Sequence, residues 1–135
     1  MSEQTTTRHD LEISEVEKDR LSSRVRKLRS QGQPVESFSQ LVEKGEAIAE
    51  TVTYLDENLR LLEADEAHQT VTLRSDHPQR SADELEYFEV SLQKDGETTL
   101  TRKRYRPHDT ETESVDFVVT EKTLERLGRD LKAGH

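Results

Sequence analysis

The sequence contains no cysteine and no tryptophan, and it is poor in glycine, proline and aromatic residues. Among its 135 residues, five are glycine, three are proline and 4% are aromatic. Without cysteine, the chain can form neither disulfides nor thiolate metal sites. Five glycines leave little material for a phosphate-binding loop, and none of the common catalytic motifs occurs. We therefore expect a protein that is not an enzyme and that needs no cofactor.

Long apolar runs are also missing. No stretch approaches the ~20 apolar residues of a membrane-spanning helix. No apolar segment of the kind found in a signal peptide follows Met1. This pattern favours a soluble protein without a membrane partner, located in the cytoplasm or in a particle that is assembled inside the cell.

Charged residues take the place of the missing hydrophobic ones. They make up 36% of the chain, and hydrophobic residues make up 30%, whereas an average domain is about 25% charged. The net charge of −9 fits an ordinary acidic protein and a protein from a salt-adapted organism or its virus equally well. The length predicts one domain with a modest core.

The positive charge is concentrated in two short segments, which we call the basic islands. Residues 18–29 carry six basic residues and one acid, and residues 102–106 carry four basic residues and no acid. Together the islands hold ten of the 20 lysines and arginines of this acidic chain. Segregated charge of this kind is a property of association surfaces. The basic islands therefore predict surfaces that meet partners.

The N-terminal region predicts a flexible tail followed by a helix. Residues 1–13 are polar and show no period, which indicates the tail. Ser14 and Glu17 fit a capping box before a helix over 15–30. The narrow apolar stripe of this helix consists of Leu21, Val25 and Leu28. A narrow stripe with charged shoulders resembles the seam of a coiled coil.

A second helix is predicted over about residues 35–55. Its apolar residues fall on one side of a helical wheel, and its glutamates fall on the other side. Gly45 lies in the middle of the apolar side, although glycine costs a helix about 1 kcal/mol relative to alanine. Its presence indicates that another element approaches the helix closely at this point. A tolerated glycine without such a role is the alternative.

The pattern changes from helical to alternating after residue 58. Five strands are predicted near 59–61, 70–74, 87–92, 98–106 and 115–119. Thr120 then caps a last helix over about 121–132. The predicted fold class is α+β, with two N-terminal helices, a mainly antiparallel five-stranded sheet built from two hairpins plus a fifth strand, and a C-terminal helix.

The domain organisation follows from these elements. We expect a flexible tail over 1–13 and a single α+β domain over 14–134. Segment 14–33 leaves two alternatives, because its helix either packs against its own domain or projects and docks on another subunit. The acidic side of the second helix offers a charge-matched counterpart in either case, although each ion pair would be weak.

The sequence Asp95-Gly96 predicts the turn of the second hairpin but leaves its register open. A two-residue turn would place Arg102 opposite Glu89. A bulged three-residue loop would instead place Leu100 beside Val90. In both registers alternate arginines of this strand share one face of the sheet.

Together these features predict a protein–protein interaction or assembly protein, such as an adaptor, an accessory subunit or a small particle component. We expect it to form a homo-oligomer or a larger complex. The predicted partner-binding residues are Arg20, Leu21, Arg24, Val25, Leu28, Arg102, Arg104 and Arg106. The alternative function is a nucleic-acid-binding accessory factor whose arginines contact phosphates. A solvated charged face without any partner is the purely structural alternative.

Two histidines beside predicted strand ends form a weaker candidate site. They occur in the sequences Asp76-His77-Pro78 and Pro107-His108-Asp109. If both strand ends lie at one end of the sheet, two imidazoles and two carboxylates could bind a divalent metal ion. Aspartate, histidine and proline are also common in turns. We therefore predict no metal site and retain His77, His108, Asp76 and Asp109 only as weak candidates.

Overall fold

Ten antiparallel strands and two helices form the part of the chain that the structure, a computed structural model, describes: residues 3–108 and 111–132. The strands are β1 (Gln4–Arg8), β2 (Leu11–Lys18), β3 (Ser22–Gln31), β4 (Leu59–Asp65), β5 (Thr70–Ser75), β6 (Gln79–Ser81), β7 (Glu84–Gln93), β8 (Glu97–Arg106), β9 (Glu111–Val115) and β10 (Phe117–Thr120). The helices are α1 (Phe38–Thr51) and α2 (Glu121–Asp130). The predicted α+β character and antiparallel sheet are confirmed.

Neighbouring strands follow the order β1-β2-β3-β8-β7-β5-β4 across the sheet. The three remaining strands extend this path. β3 pairs with β8 through its second half and with β10 through its first half, while β9 pairs with the second half of β8. β6 pairs with the start of β7, beyond the residues of β7 that pair with β5. The sheet is therefore much larger than five strands.

The predicted two N-terminal helices and five-stranded sheet are wrong. Residues 15–30 form most of β2 and β3 rather than a helix. Val25 and Leu28 lie three positions apart, a spacing typical of a helix. Both are nevertheless buried on the same side of β3, because a bulge between them shifts its register against β2. The bulge gives an extended strand a helix-like spacing of apolar residues.

The segment predicted as a flexible tail contains β1 and the first residues of β2. Leu11 and Ile13 have no exposed surface and belong to the core. His9 and Asp10 connect the two strands with left-handed φ angles of 56° and 61°. This turn lies against α2, because a Cβ atom on Gly128 would be 1.9 Å from the carbonyl oxygen of His9. The N-terminal segment is thus part of the folded structure.

Helix α1 is shorter than predicted. It begins at Phe38, after Ser37 caps it by accepting a hydrogen bond from the N–H group of Gln40. A Cβ atom on Gly45 would lie 2.9 Å from Cγ1 of Val71 in β5. The predicted close approach of another element at Gly45 is therefore confirmed.

The two predicted hairpins are confirmed as β4–β5 and β7–β8. Val90 pairs with Leu100, so the hairpin has the register of the three-residue loop. The predicted strand over 115–119 is divided between β9 and β10. Helix α2 follows its predicted cap, Thr120. The leucines of this segment have no exposed surface: Leu124, Leu127 and Leu131.

Both helices cover the same face of the sheet. Helix α1 packs against β4, β5 and β7, and α2 packs against β3 and β10. The other side of the sheet, which we call the open face, carries side chains that alternate with the core residues along each strand. It is rich in threonine, serine and charge, as in Arg29, Thr72, Ser91, Thr99 and Thr101. Neither described helix is long and apolar enough to cross a membrane.

Candidate functional site

The first basic island lies in the β2–β3 hairpin. Arg20 and Leu21 occupy its turn, where 78% of the Leu21 surface is exposed. Val25 and Leu28 have no exposed surface and belong to the core. The predicted partner-binding stripe is therefore not a surface, because two of its three residues lie inside the protein.

The arginines of β3 are paired with carboxylates of the same chain. Arg24 lies 3.7 Å from the carboxylate of Glu17 in β2. Arg26 is 3.1 Å from Asp116. Arg29 contacts two carboxylates at 3.1 and 3.3 Å, those of Glu12 and Glu97. The hydrogen bond with Glu12 is the main cause that raises the pKa of Arg29. Three of the six basic residues of this island are thus paired with carboxylates of the same chain.

Arg102 of the second basic island points into the protein. It is 7% exposed, and it contacts the carboxylates of Glu57 and Glu86 at 3.2 and 3.0 Å. Its guanidinium carbon lies 4.7 Å from the centre of the Phe88 ring. Glu57 also accepts a hydrogen bond from the hydroxyl group of Ser75. Arg102 is therefore part of a buried ion cluster and not of a free surface.

Arg104 and Arg106, at the C-terminal end of β8, share two glutamates as ion-pair partners. Arg104 contacts Glu113 at 2.6 Å and Glu84 at 3.9 Å. Arg106 contacts the same residues at 3.4 and 3.0 Å. The hydrogen bond from Arg104 is the main cause that lowers the pKa of Glu113. A phosphate group would have to displace these carboxylates in order to bind.

A groove on the open face brings together residues that sequence reasoning did not connect. It has a volume of about 400 Å³ and runs from β4 to β9. We call it the Tyr–Arg groove. Its principal lining residues are Arg60, Leu62, Arg74, Leu85, Tyr87 and Tyr105. Five different strands contribute to its lining, so that it exists only in the folded sheet.

The groove combines aromatic, apolar and basic groups. The guanidinium carbon of Arg74 lies 4.8 Å from the centre of the Tyr87 ring, and its Nε lies 3.1 Å from Glu89. Arg60 is exposed and has no carboxylate partner among the residues that the structure describes. Leu62 is 43% exposed at a bulge of β4. An arginine next to a tyrosine ring contributes a cation–π contact as well as charge.

One signal in the sequence pointed towards this groove. Tyr87 and Tyr105 are two of only three tyrosines, and alternation places both on the side of their strands opposite to the core residues. Leu85 pairs with Tyr105 across the β7–β8 hairpin. The contributions of β4 and β5 could not be anticipated, because strand order was not known from the sequence.

The histidine site is not assembled in the described part of the chain. His108 lies 4.0 Å from Asp83, and both side chains are exposed. Residues 3–108 and 111–132 contain no group of three or more histidine, aspartate or glutamate side chains that could hold a metal ion. Asp76 lines the Tyr–Arg groove, and Asp109 lies outside the described residues.

No protein-family model, no curated protein sequence and no solved structure matches this chain. The Tyr–Arg groove is the candidate site that combines exposed apolar surface with a basic group lacking a described carboxylate partner.

Proposed function

We propose that the protein is a non-enzymatic binding module that takes up an acidic segment of a partner protein in the Tyr–Arg groove. The observation that carries this proposal is a groove in which the exposed Arg60 and Leu62 lie beside Tyr105 and a second, largely buried tyrosine, Tyr87. Tyrosine and arginine are enriched in protein interfaces and among the residues that contribute most binding energy. An adaptor, an accessory subunit or a particle component could hold its partner in this way.

Charge complementarity supports an acidic occupant. Arg60 and Arg74 lie on the β4–β5 side of the groove, and Asp76 is the acidic residue that lines it. Arg60 pairs with Arg74 across the hairpin. Because Arg74 is bound to Glu89, Arg60 supplies the charge that attracts a carboxylate. The neighbouring Leu62 and Leu85 suit an apolar side chain of the same segment. The expected occupant therefore carries an apolar anchor flanked by aspartate or glutamate.

Nucleic acid is the alternative occupant, and two observations oppose it. The arginines of β3 and β8 are bound to carboxylates of the same chain. The net charge of −9 also repels a long polyanion more strongly than a short acidic segment, because the repulsion grows with the charge of the ligand. Binding to phosphates would require both effects to be overcome.

A nuclear magnetic resonance titration tests the proposal. The probes are a short peptide with leucine and phenylalanine flanked by glutamates, the same peptide with lysines in place of the glutamates, and a single-stranded oligonucleotide. We expect the acidic peptide alone to change the amide shifts of residues around the groove. Arg60→Glu should weaken its binding about tenfold, because an attractive charge becomes repulsive.

Arg24→Glu is the matched control, because it reverses an exposed arginine that does not line the groove. It should leave peptide binding unchanged. Binding of the oligonucleotide without binding of the acidic peptide would favour the nucleic-acid alternative. Shift changes that avoid the groove, or that persist in Arg60→Glu, would refute the proposed site.

The assembly state and the location are also proposals. The predicted homo-oligomer would place a second copy of this acidic chain in the groove. A solution mass measured at low and high salt distinguishes that occupant, because a dimer through the groove should dissociate in Arg60→Glu and in Leu62→Asp. We further propose the cytoplasm, or a particle assembled within it, as the location, on the basis of the sequence composition.

A further inference from the structure

Lys44 is the most deeply buried charged residue of α1. Only 5% of its surface is exposed, although it follows the exposed Glu43 on the helix. Its amine lies close to the end of β3, 3.7 Å from the position that a Cβ atom on Gly32 would occupy. The N–H group of Gly32 donates to the carbonyl oxygen of Gly96 at 2.9 Å, which ties this end of β3 to the β7–β8 loop.

The amine of Lys44 has no hydrogen bond and no ion pair among residues 3–108 and 111–132. Burial lowers its pKa, and the charge of Asp95 partly opposes this effect. The carboxylate of Asp95 accepts a hydrogen bond from the N–H group of Glu97 instead. The buried side-chain atoms of the described residues that lack a hydrogen-bond partner do not include this amine. The amine therefore reaches the solvent, where an anionic ligand can form a charge-assisted hydrogen bond with it.

Lys44 lines a cavity between α1 and the segment that connects β3 to it. The cavity has a volume of about 650 Å³, which lies within the range of small-molecule sites. Its lining is apolar at Pro34, Val35 and Ala47. Glu43 also lines it and is exposed, so that acidic charge lies towards solvent and the cationic group lies inside.

We propose that this cavity binds a small organic monocarboxylate whose carboxylate group pairs with Lys44. The apolar lining accepts the aliphatic part of such a ligand. Glu36 and Glu43 repel anions of higher charge, so that inorganic phosphate binds less well than a monocarboxylate. The site is separate from the Tyr–Arg groove and does not depend on the proposed function, because the two share no lining residue.

The test compares three probes by nuclear magnetic resonance at constant ionic strength: propionate, its neutral analogue propionamide, and inorganic phosphate. We expect propionate to shift the signals of Gly32, Gln33 and the Lys44 side chain with saturation. Propionamide and phosphate should cause much smaller changes. Equal effects of propionate and propionamide would overturn the proposal, since the ammonium–carboxylate pair would then contribute nothing.

Two variants separate charge from shape. Lys44→Met keeps a long side chain and removes the charge, and it should weaken propionate binding at least about tenfold. Ala47→Leu fills the cavity without changing the charge and should also weaken binding. Lys27→Met removes an exposed lysine of β3 and is the matched control. Propionate binding that is unchanged in both Lys44→Met and Ala47→Leu would overturn the proposal.

A purely structural role of Lys44 predicts a different result. If the amine only stabilises the β7–β8 loop through Asp95, Lys44→Met should lower the melting temperature and Asp95→Asn should lower it as well. The proposed ligand site predicts that Lys44→Met melts no lower than the natural chain without ligand. It also predicts that propionate raises the melting temperature of the natural chain and of Asp95→Asn, but not of Lys44→Met.

Discussion

Replacement of Gly128 by alanine tests whether the N-terminal hairpin is part of the folded structure. Gly128 is buried in α2, and a Cβ atom there would be 1.9 Å from the carbonyl oxygen of His9 and 3.0 Å from its carbonyl carbon. Because the obstacle is backbone, no change of a side-chain rotamer relieves the overlap. Helix α2 and the β1–β2 turn must therefore separate by about 1 Å.

The expected cost follows from the contacts at this interface. Overpacking of a well-packed site costs about 1–3 kcal/mol, and a backbone obstacle belongs at the upper end. Separation also weakens the ion pair between Arg8 and Glu121, now 2.8 Å long, and this partly exposed pair contributes below about 1 kcal/mol. The higher helix propensity of alanine offsets about 1 kcal/mol of this loss in stability. We expect a net loss of about 2–3 kcal/mol and a melting temperature lowered by about 10 °C.

Urea unfolding followed by circular dichroism measures this difference. Glu125→Ala is the matched control, because Glu125 is exposed on the same helix and its replacement should change stability by less than about 0.5 kcal/mol. In a chain that lacks residues 1–10, Gly128→Ala should become neutral or stabilising. A full-length Gly128→Ala variant as stable as the natural chain would refute the reasoning, because a free N-terminal segment would simply move aside.

Three further predictions concern the ion pairs and the α1 interface. Arg102→Met should lower the free energy of unfolding by about 3–5 kcal/mol, because it leaves carboxylates without a partner in a largely buried cluster. Arg104→Met should cost clearly less, because its site is more exposed and its ion pairs are screened by solvent. Urea unfolding measures both variants, and equal losses would contradict this prediction. The hydrogen bond from Arg8 is the main cause that lowers the pKa of Glu121 from its usual 4.5 to about 2. The Arg8–Glu121 ion pair therefore stabilises the fold above pH 4.5 and loses this effect as the pH falls towards 2. Arg8→Gln should therefore have a lower urea midpoint than the natural chain at pH 7 and the same midpoint near pH 2, and a difference that does not depend on pH would argue against the pair. Gly45→Ala would place Cβ 2.9 Å from a buried valine methyl group of β5. Overpacking costs about 1–3 kcal/mol, which should exceed the gain of about 1 kcal/mol in helix propensity. Calorimetry should therefore find a lower melting temperature rather than a higher one.

The parts of the fold that were predicted correctly depend on local patterns. The caps and apolar spacing of α2 and the hairpin turn at Asp95-Gly96 each involve residues near one another in the chain. The position of Gly45 on the apolar side of α1 is also a local pattern, whereas the residue that it contacts, Val71 of β5, is distant in the chain. The helix predicted over 15–30 was wrong for an equally local reason. The bulge in β3 places two core residues three positions apart, and spacing alone cannot distinguish this arrangement from a helical turn.

The candidate site was harder to predict than the elements. Clustered arginines in the sequence suggested partner-binding surfaces, but Arg102 is buried between two glutamates that are distant in the chain. Arg60 and Tyr105, which are distant in the chain, meet in one groove. Strand order produces both outcomes, because β8 lies between β3 and β7 while β4 and β5 follow β7 in the sheet.

Composition and short-range pattern were enough to predict an acidic, cysteine-free α+β chain with two hairpins and a capped C-terminal helix. These features depend on local effects that act within a few residues, namely backbone preference, capping and the burial of alternate side chains. Tertiary structure alone decided which charges are neutralised, which apolar residues are covered and which basic, aromatic and apolar groups line one groove. Coulombic and hydrophobic contacts depend on distance in space, and the pairing of strands sets that distance between residues far apart in the chain.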